Sequence, residues 1–361
     1  MFTLAAFGFT LCYSEGAERF PMSTAIRGIA PNHLRFDAAK FSWLLLLFFP
    51  LYGCSRTAPT SSPNATAKLD RASELSTLAN VYSKAHREKE AETADREALE
   101  FYRDLARNDP APYRPLVVQT LISLAQLYSD ERQVEQAERT LQEALAVSRD
   151  LAKVNPVASQ GAVAATFHNL ANLYFETNRK QAAERAYQEA LTMRRRLAKE
   201  NPVAYQPEVA ETLYNLADLY SVMQQRKQAE QDFQEALAIR RELAKADPAA
   251  YRASVAQTLT KLATLHENTG LLQAAEQNFQ EALGIYRELA EANPADYQPT
   301  LATILNDLAK LYAKTRRLKE AEQAYREALL LRWGLAKANP AYRDDVQTTL
   351  HDWATLYGKA K

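Results

Sequence analysis

The chain has 361 residues, with 44 basic and 44 acidic side chains and a formal net charge of zero at neutral pH. Both signs are mixed along the chain, so there is no basic stripe for nucleic acid and no preference for a strongly charged partner of either sign. Only nine glycines occur, and none of them belongs to a glycine-rich phosphate loop.

The chain starts with a segment whose composition differs from the rest. It contains the apolar run WLLLLFFPLY at 43–52, about half of the ~20 residues that a membrane-spanning helix needs. Basic residues precede this run and a small residue comes after it, which is typical of a secretory signal. We therefore expect 1–53 to be a signal peptide region, in which Met22 would be the true start of translation.

The sequence LYGCS at 51–55 closes this segment and resembles a bacterial lipobox. The matching positions are Leu51, Gly53 and Cys54, whereas Tyr52 is larger than the residue usual there. The resemblance implies lipidation of Cys54, and Ser55 after it implies an outer-membrane lipoprotein that faces the periplasm. The alternatives are a plain signal peptide and a signal anchor with an incidental cysteine. Because Ser, Thr, Pro and Ala dominate the residues after Cys54, 54–69 is predicted to be the lipidated cysteine and a flexible linker.

From residue 70 onward the sequence repeats with a period of 46 residues. One ladder at this spacing is Tyr82, Tyr128, Tyr174, Tyr220, His266 and Tyr312. A second is Ala98, Ala144, Ala190, Ala236, Ala282 and Ala328, and a third is the prolines Pro110, Pro156, Pro202, Pro248, Pro294 and Pro340. Such a period indicates stacked units that bury their apolar faces against one another. We predict an all-α solenoid over 70–361, with six repeats and a C-terminal capping helix at 344–359.

Each repeat is predicted to contain two helices, called A and B here. In the third repeat the helical spacing of apolar residues places helix A at 162–178 and helix B at 180–199. Pro202 is expected to end helix B, since proline disfavours the α conformation in the residue before it. Pro207 then suits the first turn of the next helix A, where a missing N–H costs nothing.

The pattern of the two helices resembles the tetratricopeptide repeat. Seven residues of the third repeat match that motif in order: Phe167, Leu170, Ala171, Tyr174, Ala183, Tyr187 and Ala190. The resemblance implies a right-handed superhelical solenoid of antiparallel helix pairs. The proline comes seven residues later than in the usual 34-residue repeat, which looks like the extended repeats of kinesin light chains. Ala171 and its equivalents replace the usual glycine.

The sequence contains no recognisable pattern of catalytic residues, and we expect no enzyme activity, no cofactor and no metal site. His266 occupies the tyrosine ladder, so we expect it to pack in the core. The run of three arginines at 194–196 is interpreted as a solvated face. An acidic ladder is interpreted as favourable charge in or near the first turn of each helix B. It consists of Glu92, Glu138, Glu184, Glu230, Glu276 and Glu322.

The resemblance to tetratricopeptide repeats also implies that helix A lines a concave groove. The residues that flank its Leu-Ala pair would then contact a partner. They are Ser76, Asn80, Ile122, Gln126, His168, Asn172, Tyr214, Asp218, Thr260, Thr264, Asn306 and Lys310. Uncharged hydrogen-bonding side chains dominate this set, which suits an extended peptide or a helix. Lys310 is its single lysine, so a carboxylate clamp is not expected.

The sequence therefore predicts a non-catalytic, lipid-anchored scaffold that binds a protein or peptide partner. Nucleic acid and small-molecule substrates are not expected as partners. The alternative is a structural component that self-associates within an envelope assembly and has no dedicated peptide ligand.

Overall fold

The structure, a computed structural model, describes residues 63–154 and 156–358. In these ranges it contains thirteen α-helices, a 3-10 turn at Pro340–Tyr342 and no β-strand. The helices are α1 Pro63–Lys84, α2 Glu88–Asn108, α3 Pro110–Asp130, α4 Val134–Val154, α5 Pro156–Glu176, α6 Lys180–Glu200, α7 Pro202–Val222, α8 Arg226–Ala246, α9 Pro248–Asn268, α10 Leu272–Ala292, α11 Pro294–Lys314, α12 Leu318–Ala338 and α13 Arg343–Gly358. The predicted signal region, the start at Met22 and the lipidation of Cys54 lie outside the described residues.

Helices α1 to α12 form six antiparallel pairs, in which the odd-numbered member is helix A and the even-numbered member is helix B. Each helix packs against the helices before and after it in the chain, and α13 takes the position of a seventh helix A. Helices A of successive repeats also contact each other, at α3 with α5, α5 with α7, α7 with α9 and α11 with α13. The A helices therefore form the inner layer of the stack. The predicted all-α solenoid of six repeats and a terminal helix is confirmed.

The core is built around the predicted alanine ladder on helix B. All six of its alanines are completely buried. Since alanine has no atoms beyond Cβ, it allows helix B to approach its neighbours closely, and aromatic rings fill the space beside it. Tyr187, Phe233 and Phe279 are among the largest fully buried side chains. Burial of each such ring stabilises the fold by roughly 1.5–3 kcal/mol.

Three residues connect each helix A to its helix B, and the middle one has a left-handed backbone conformation. These residues are His86, Arg132, Asn178, Gln224, Gly270 and Arg316, with φ between 54° and 83°. The turn closes with a backbone hydrogen bond that reaches back five residues, for example from the Gln225 amide to the Tyr220 carbonyl oxygen at 2.9 Å. Gly270 is the only one of the six that adopts this conformation without steric cost.

Helix B connects to the next helix A through a single residue, usually Asn or Asp followed by proline. The side chains of Asn201 and Asp247 accept hydrogen bonds from the Ala204 and Ala250 amides, at 3.2 and 3.1 Å. They therefore act as N-caps, and the proline after each occupies the first helical position. This connection of one residue lets helix A begin immediately after helix B ends.

The predicted boundaries of helix A are therefore wrong at the N-terminal end. In the third repeat helix A begins at Pro156, six residues before the predicted start at residue 162. The proline that ends one helix also starts the next, so Pro202 is the first residue of α7. Pro207 consequently lies inside α7 rather than in its first turn, where it removes one backbone hydrogen bond.

The predicted flexible linker at 54–69 is also too long, because α1 begins at Pro63. Leu69 packs against the first core cluster, and the Lys68 ammonium pairs with the Asp104 carboxylate on α2. Proline suits the first position of a helix, and contacts with α2 then stabilise the first turns. Composition alone does not reveal these tertiary contacts.

Candidate functional site

The predicted groove residues form two columns with different exposure. The column after the Leu-Ala pair consists of Asn80, Gln126, Asn172, Asp218, Thr264 and Lys310. Asn172 and Asp218 are half-buried, and the other four are exposed. Because these residues lie on the A helices, they occupy the inner layer of the stack.

The column before the Leu-Ala pair is less accessible than the sequence predicted. Ser76, Ile122 and Thr260 are half-buried. His168, Tyr214 and Asn306 are buried, with exposed fractions of only 4, 8 and 2%. These three side chains point into the interfaces between neighbouring repeats, called joints below, so they cannot contact a partner without moving.

The Tyr214 ring shows why this column is buried. It makes an edge-to-face contact with Phe233, with the ring centroids 5.7 Å apart. The Arg240 guanidinium covers its other side at 4.5 Å from the ring centre. Asn306 is held in a similar way at the C-terminal joint, where its amide donates to the Asp352 carboxylate at 3.0 Å. Contacts with helices outside helix A decide this burial, and the spacing within helix A does not reveal them.

His168 belongs to a buried polar network between the third and fourth repeats. Its Nδ1 atom lies 3.1 Å from Nη1 of Arg194 and 3.4 Å from the Thr212 hydroxyl oxygen. Since a guanidinium can only donate, Nδ1 accepts and the ring is neutral with its proton on Nε2. Burial, together with the positive charge of Arg194, lowers the pKa of His168 well below its ordinary value. His168 is therefore a neutral structural group at neutral pH.

The interpretation of 194–196 as a solvated face is wrong for Arg194, which is buried. Its Nη1 donates to the Thr212 hydroxyl at 2.5 Å and to the Glu208 carbonyl oxygen at 3.2 Å. Its Nε lies 3.1 Å from the Glu208 carboxylate, although the angle does not suit a hydrogen bond. Burial raises the pKa of Glu208 even though Arg194 opposes the shift.

Two other repeats contain the same joint. Arg240 donates to the Thr258 hydroxyl at 2.7 Å and to the Ser254 carbonyl oxygen at 3.0 Å. Arg332 makes equivalent bonds to Thr349 and to the carbonyl oxygen of Asp345. Each buried arginine therefore links a helix B to the following helix A. These arginines are spaced by 46 residues or by twice that number, so the sequence could have revealed the set. It does not reveal that their side chains are buried.

The acidic ladder lies near the first turn of each helix B, as predicted, and it also has a second role. Its members lie at the fifth residue of helix B, and Glu92, Glu138, Glu230 and Glu276 contact the following repeat. The Glu138 carboxylate accepts from Arg179 at 2.8 Å, and that of Glu276 accepts from Arg317 at 2.7 Å. The Glu230 carboxylate lies 3.2 Å from Nε2 of His266, which is buried in the core as predicted. The ladder therefore joins neighbouring repeats.

A pocket of about 410 Å³ lies between α7, α8 and α9. Phe233 and Leu265 form the apolar part of its wall. Hydrogen-bonding side chains form the rest, among them Asp218, Ser221, Gln224, Lys261, Thr264 and Asn268. The sequence predicted Asp218 and Thr264 as groove residues but missed the other hydrogen-bonding residues. Ser221, Lys261 and Asn268 lie about one helical turn from Asp218 or Thr264, and Gln224 lies on the turn before α8.

Charges on the inner face are largely paired. The Lys261 ammonium donates to the Asp218 carboxylate at 2.8 Å, inside the pocket. The Lys310 ammonium lies 3.1 Å from the Asp352 carboxylate and 3.6 Å from that of Asp307. Lys310 is therefore engaged within the protein. These pairs leave an inner face that offers hydrogen bonds without a strong net charge.

Membrane spans and metal sites are the two other features that bear on function. Within the described ranges, no helix is both long and apolar enough to cross a bilayer. The same ranges contain no group of His, Cys, Asp and Glu side chains placed to hold a metal ion.

Comparison with known sequences gives a consistent match. Models described as tetratricopeptide repeat match residues 72–110, 120–154, 163–203, 208–288 and 254–331. A search of curated proteins gave no match.

Several solved structures have a similar fold. BtubC (BKLC) from P. vanneervenii is 24% identical with a TM-score of 0.57, over 68% of this chain and 90% of that chain. A signal transduction ATPase from Pyrococcus horikoshii with a tetratricopeptide repeat sensor is 16% identical with a TM-score of 0.56, over 82% of this chain and 41% of its own. A kinesin light chain repeat protein from Podosopora anserina is 18% identical with a TM-score of 0.48, over 63% of this chain and 98% of that chain. At these sequence identities the comparisons show that the chains share a fold and nothing more.

Proposed function

Because this chain belongs to the tetratricopeptide repeat family, we propose that its inner face binds a segment of a partner protein. The proposed role is that of a scaffold without catalysis. The fold supports it, since stacked helix pairs present an extended concave surface on which one ligand can contact several repeats.

The pocket between α7, α8 and α9 is the observation that carries this proposal. It lies on the inner layer, and two predicted groove residues, Asp218 and Thr264, line it. Its wall combines an apolar part with hydrogen-bonding groups around it, which is the usual composition of a site for a protein segment.

The chemistry of the pocket indicates which segment fits. The carboxylate of Asp218 is already paired with Lys261, and Arg226 in the pocket wall adds one further positive charge. A polar or acidic group of the ligand therefore suits this site better than a basic one.

The Thr264 hydroxyl donates to the Thr260 carbonyl oxygen at 3.0 Å, so its oxygen can still accept a hydrogen bond, and the exposed amide of Asn268 can donate one. Both can bond to the backbone of an extended chain. A small apolar side chain of the ligand would then contact Leu265.

Site-specific photocrosslinking tests this proposal. A photoreactive amino acid at Thr264, which is exposed on the inner face, should give adducts with a protein partner in cells. The matched control carries it at Ala238, an exposed position on helix B. Adducts of equal yield from both positions, or from Ala238 alone, would place the interface elsewhere.

The location of the protein forms a second part of the proposal. We propose that Cys54 carries a lipid anchor that holds the solenoid in a bacterial envelope, on the outer membrane and facing the periplasm. The support is the lipobox-like sequence at 51–55. Labelled palmitate fed to a Gram-negative host should appear in the full chain and be lost in Cys54→Ala. Absence of label in both proteins would reject the anchor.

A further inference from the structure

The C-terminal end of the solenoid exposes large apolar side chains. Leu330 and Trp333 on α12 have exposed fractions of 61 and 52%, and Leu350 on α13 has 37%. Trp353, one turn after Leu350, is half-buried. These four residues are called the end patch. Single exposed apolar residues are common, but four on adjoining helices form a surface that water solvates poorly.

Comparison with the interior repeats shows what this surface faces. The position of Trp333 is arginine in all five earlier repeats, and the position of Leu330 is Thr, Ala or Gly in the three before it. Four of those arginines reach a glutamate on the next helix B, for instance Arg287 to Glu327 at 2.8 Å. Trp333 and Leu330 therefore stand where a further helix B would pack against α12.

In the part of the chain that the structure describes, helix α13 also lacks the helix B that packs against each interior helix A. Leu350 takes the place of Leu213, Leu259 and Leu305, which are buried in their repeats by the helix B that comes next. Among the described residues no helix comes after α13. The end patch is therefore the lining of a slot that is shaped for one more helix, antiparallel to α13 and parallel to α12.

We propose that a second copy of this chain fills the slot with its own α13, so that two solenoids join through their C-terminal ends about a twofold axis. A twofold axis perpendicular to α13 makes the two α13 helices antiparallel, as the A and B helices are in every repeat. The resulting four-helix bundle places Leu350 and Trp353 of one copy against those of the other. The second α13 also covers Leu330 and Trp333.

The distribution of charge agrees with this arrangement. None of the end-patch side chains is charged. In the bundle, α13 of the second copy runs parallel to α12, so its acidic first turn, with Asp344 and Asp345, approaches the exposed Arg326 of α12. Opposite charges at the rim of an apolar contact favour the correct register.

A head-to-tail arrangement fits less well. The N-terminal end also exposes apolar side chains, Leu78 and Val81. Joining α13 to α1 of another copy is a head-to-tail contact, which leaves one end patch uncovered in every open assembly. The twofold arrangement covers both end patches and closes at two copies.

Sedimentation equilibrium of the full chain in mild detergent tests the proposal. The mass should rise with concentration from one copy to two and stop there. The variant Leu330→Ala with Trp333→Arg introduces residues that interior repeats use at these positions, so the fold should be retained. It should weaken association by about tenfold or more, since buried aromatic residues dominate such interfaces. Its helicity by circular dichroism should be unchanged.

The matched control is Val203→Arg with Leu271→Ala, which changes two exposed apolar residues far from the end patch. It should associate like the unmodified chain. A second readout uses Trp43→Phe, which leaves Trp333 and Trp353 as the only tryptophans. Their emission should shift to shorter wavelength as the dimer forms. A mass of one copy throughout, growth beyond two copies, or equal association of the end-patch variant would overturn the proposal.

Discussion

Alanine at six equivalent positions sets how closely helix B packs in this chain, and each of these residues is completely buried. A larger side chain at such a position has no space, and a charged one has no partner. Other residues have roles that depend on their surroundings. Arg194 and Arg195 are neighbours in the sequence, yet the first is buried in a joint and the second pairs with Glu235 on the surface.

Ala190→Arg tests the alanine ladder. The change should destabilise the protein by about 3 kcal/mol or more, because it buries an unpaired charge in a close-packed site. Urea unfolding followed by circular dichroism measures this loss. The control is Thr192→Arg on the exposed face of the same helix, which should change stability by less than about 0.5 kcal/mol. Similar effects of the two variants would contradict the assignment.

Asp95 makes stability depend on pH. It occupies a position where other repeats have apolar residues, and burial raises its pKa to about 6, against the effect of the hydrogen bond from Ser123. A raised pKa means that the folded protein binds this proton more tightly than the unfolded chain. The stabilisation is therefore complete below about pH 4 and is lost as the pH rises through 6.

Asp95→Asn should remove this contribution. At pH 8 the variant should be more stable than the unmodified protein by about 1–3 kcal/mol, since each unit of pKa shift corresponds to about 1.4 kcal/mol. At pH 4 the two proteins should unfold at nearly the same urea concentration. A difference that does not change between pH 4 and pH 8 would refute the prediction.

The helices of this chain are connected by two short links of different chemistry. From B to A, one Asn or Asp caps the next helix and a proline begins it. From A to B, the middle residue of three has positive φ, and five of the six such residues are not glycine. Each of the five retains a steric cost that glycine would avoid.

The turn before α12 offers a direct test of that cost. Arg316→Gly should stabilise the protein, because the exposed Arg316 has φ 61° and glycine adopts this conformation freely. The gain should be up to about 1 kcal/mol. The reverse change, Gly270→Ala at φ 83°, should destabilise by a similar amount. Thermal unfolding of both variants checks the signs, and shifts in the same direction would contradict the explanation.

The stack as a whole depends on contacts between neighbouring repeats, since no unit buries both of its faces alone. Buried arginines, the acidic ladder and the inner-face ion pairs all join one repeat to the next. Adjacent joints should therefore govern whether the repeats unfold together or one after another.

Arg240→Met tests this coupling between α8 and α9. It removes two hydrogen bonds and leaves the Thr258 hydroxyl oxygen without a donor, whereas the Ser254 carbonyl oxygen still accepts from that hydroxyl. Hydrogen exchange should show less protection of the α9 amides, equivalent to about 1–3 kcal/mol. The control is Arg241→Met, which loses an exposed pair with Glu281 and should cost less than about 1 kcal/mol. Equal losses would show that the joint does not depend on the buried arginine.

The repeat, its period, the number of helix pairs and the alanine core can be predicted from the sequence, because helical spacing and burial recur with the same period. The sequence also predicts a column from Asn80 to Lys310 on the A helices, whose role in binding stays a prediction. The accessibility of the side chains on that face and the contacts of Arg194 come from the packing of the repeats. They depend on residues between 14 and 47 positions away, such as Glu208 for Arg194 and Asn215 for His168. Periodicity within one helix carries no information on such contacts, so only the packed stack reveals them.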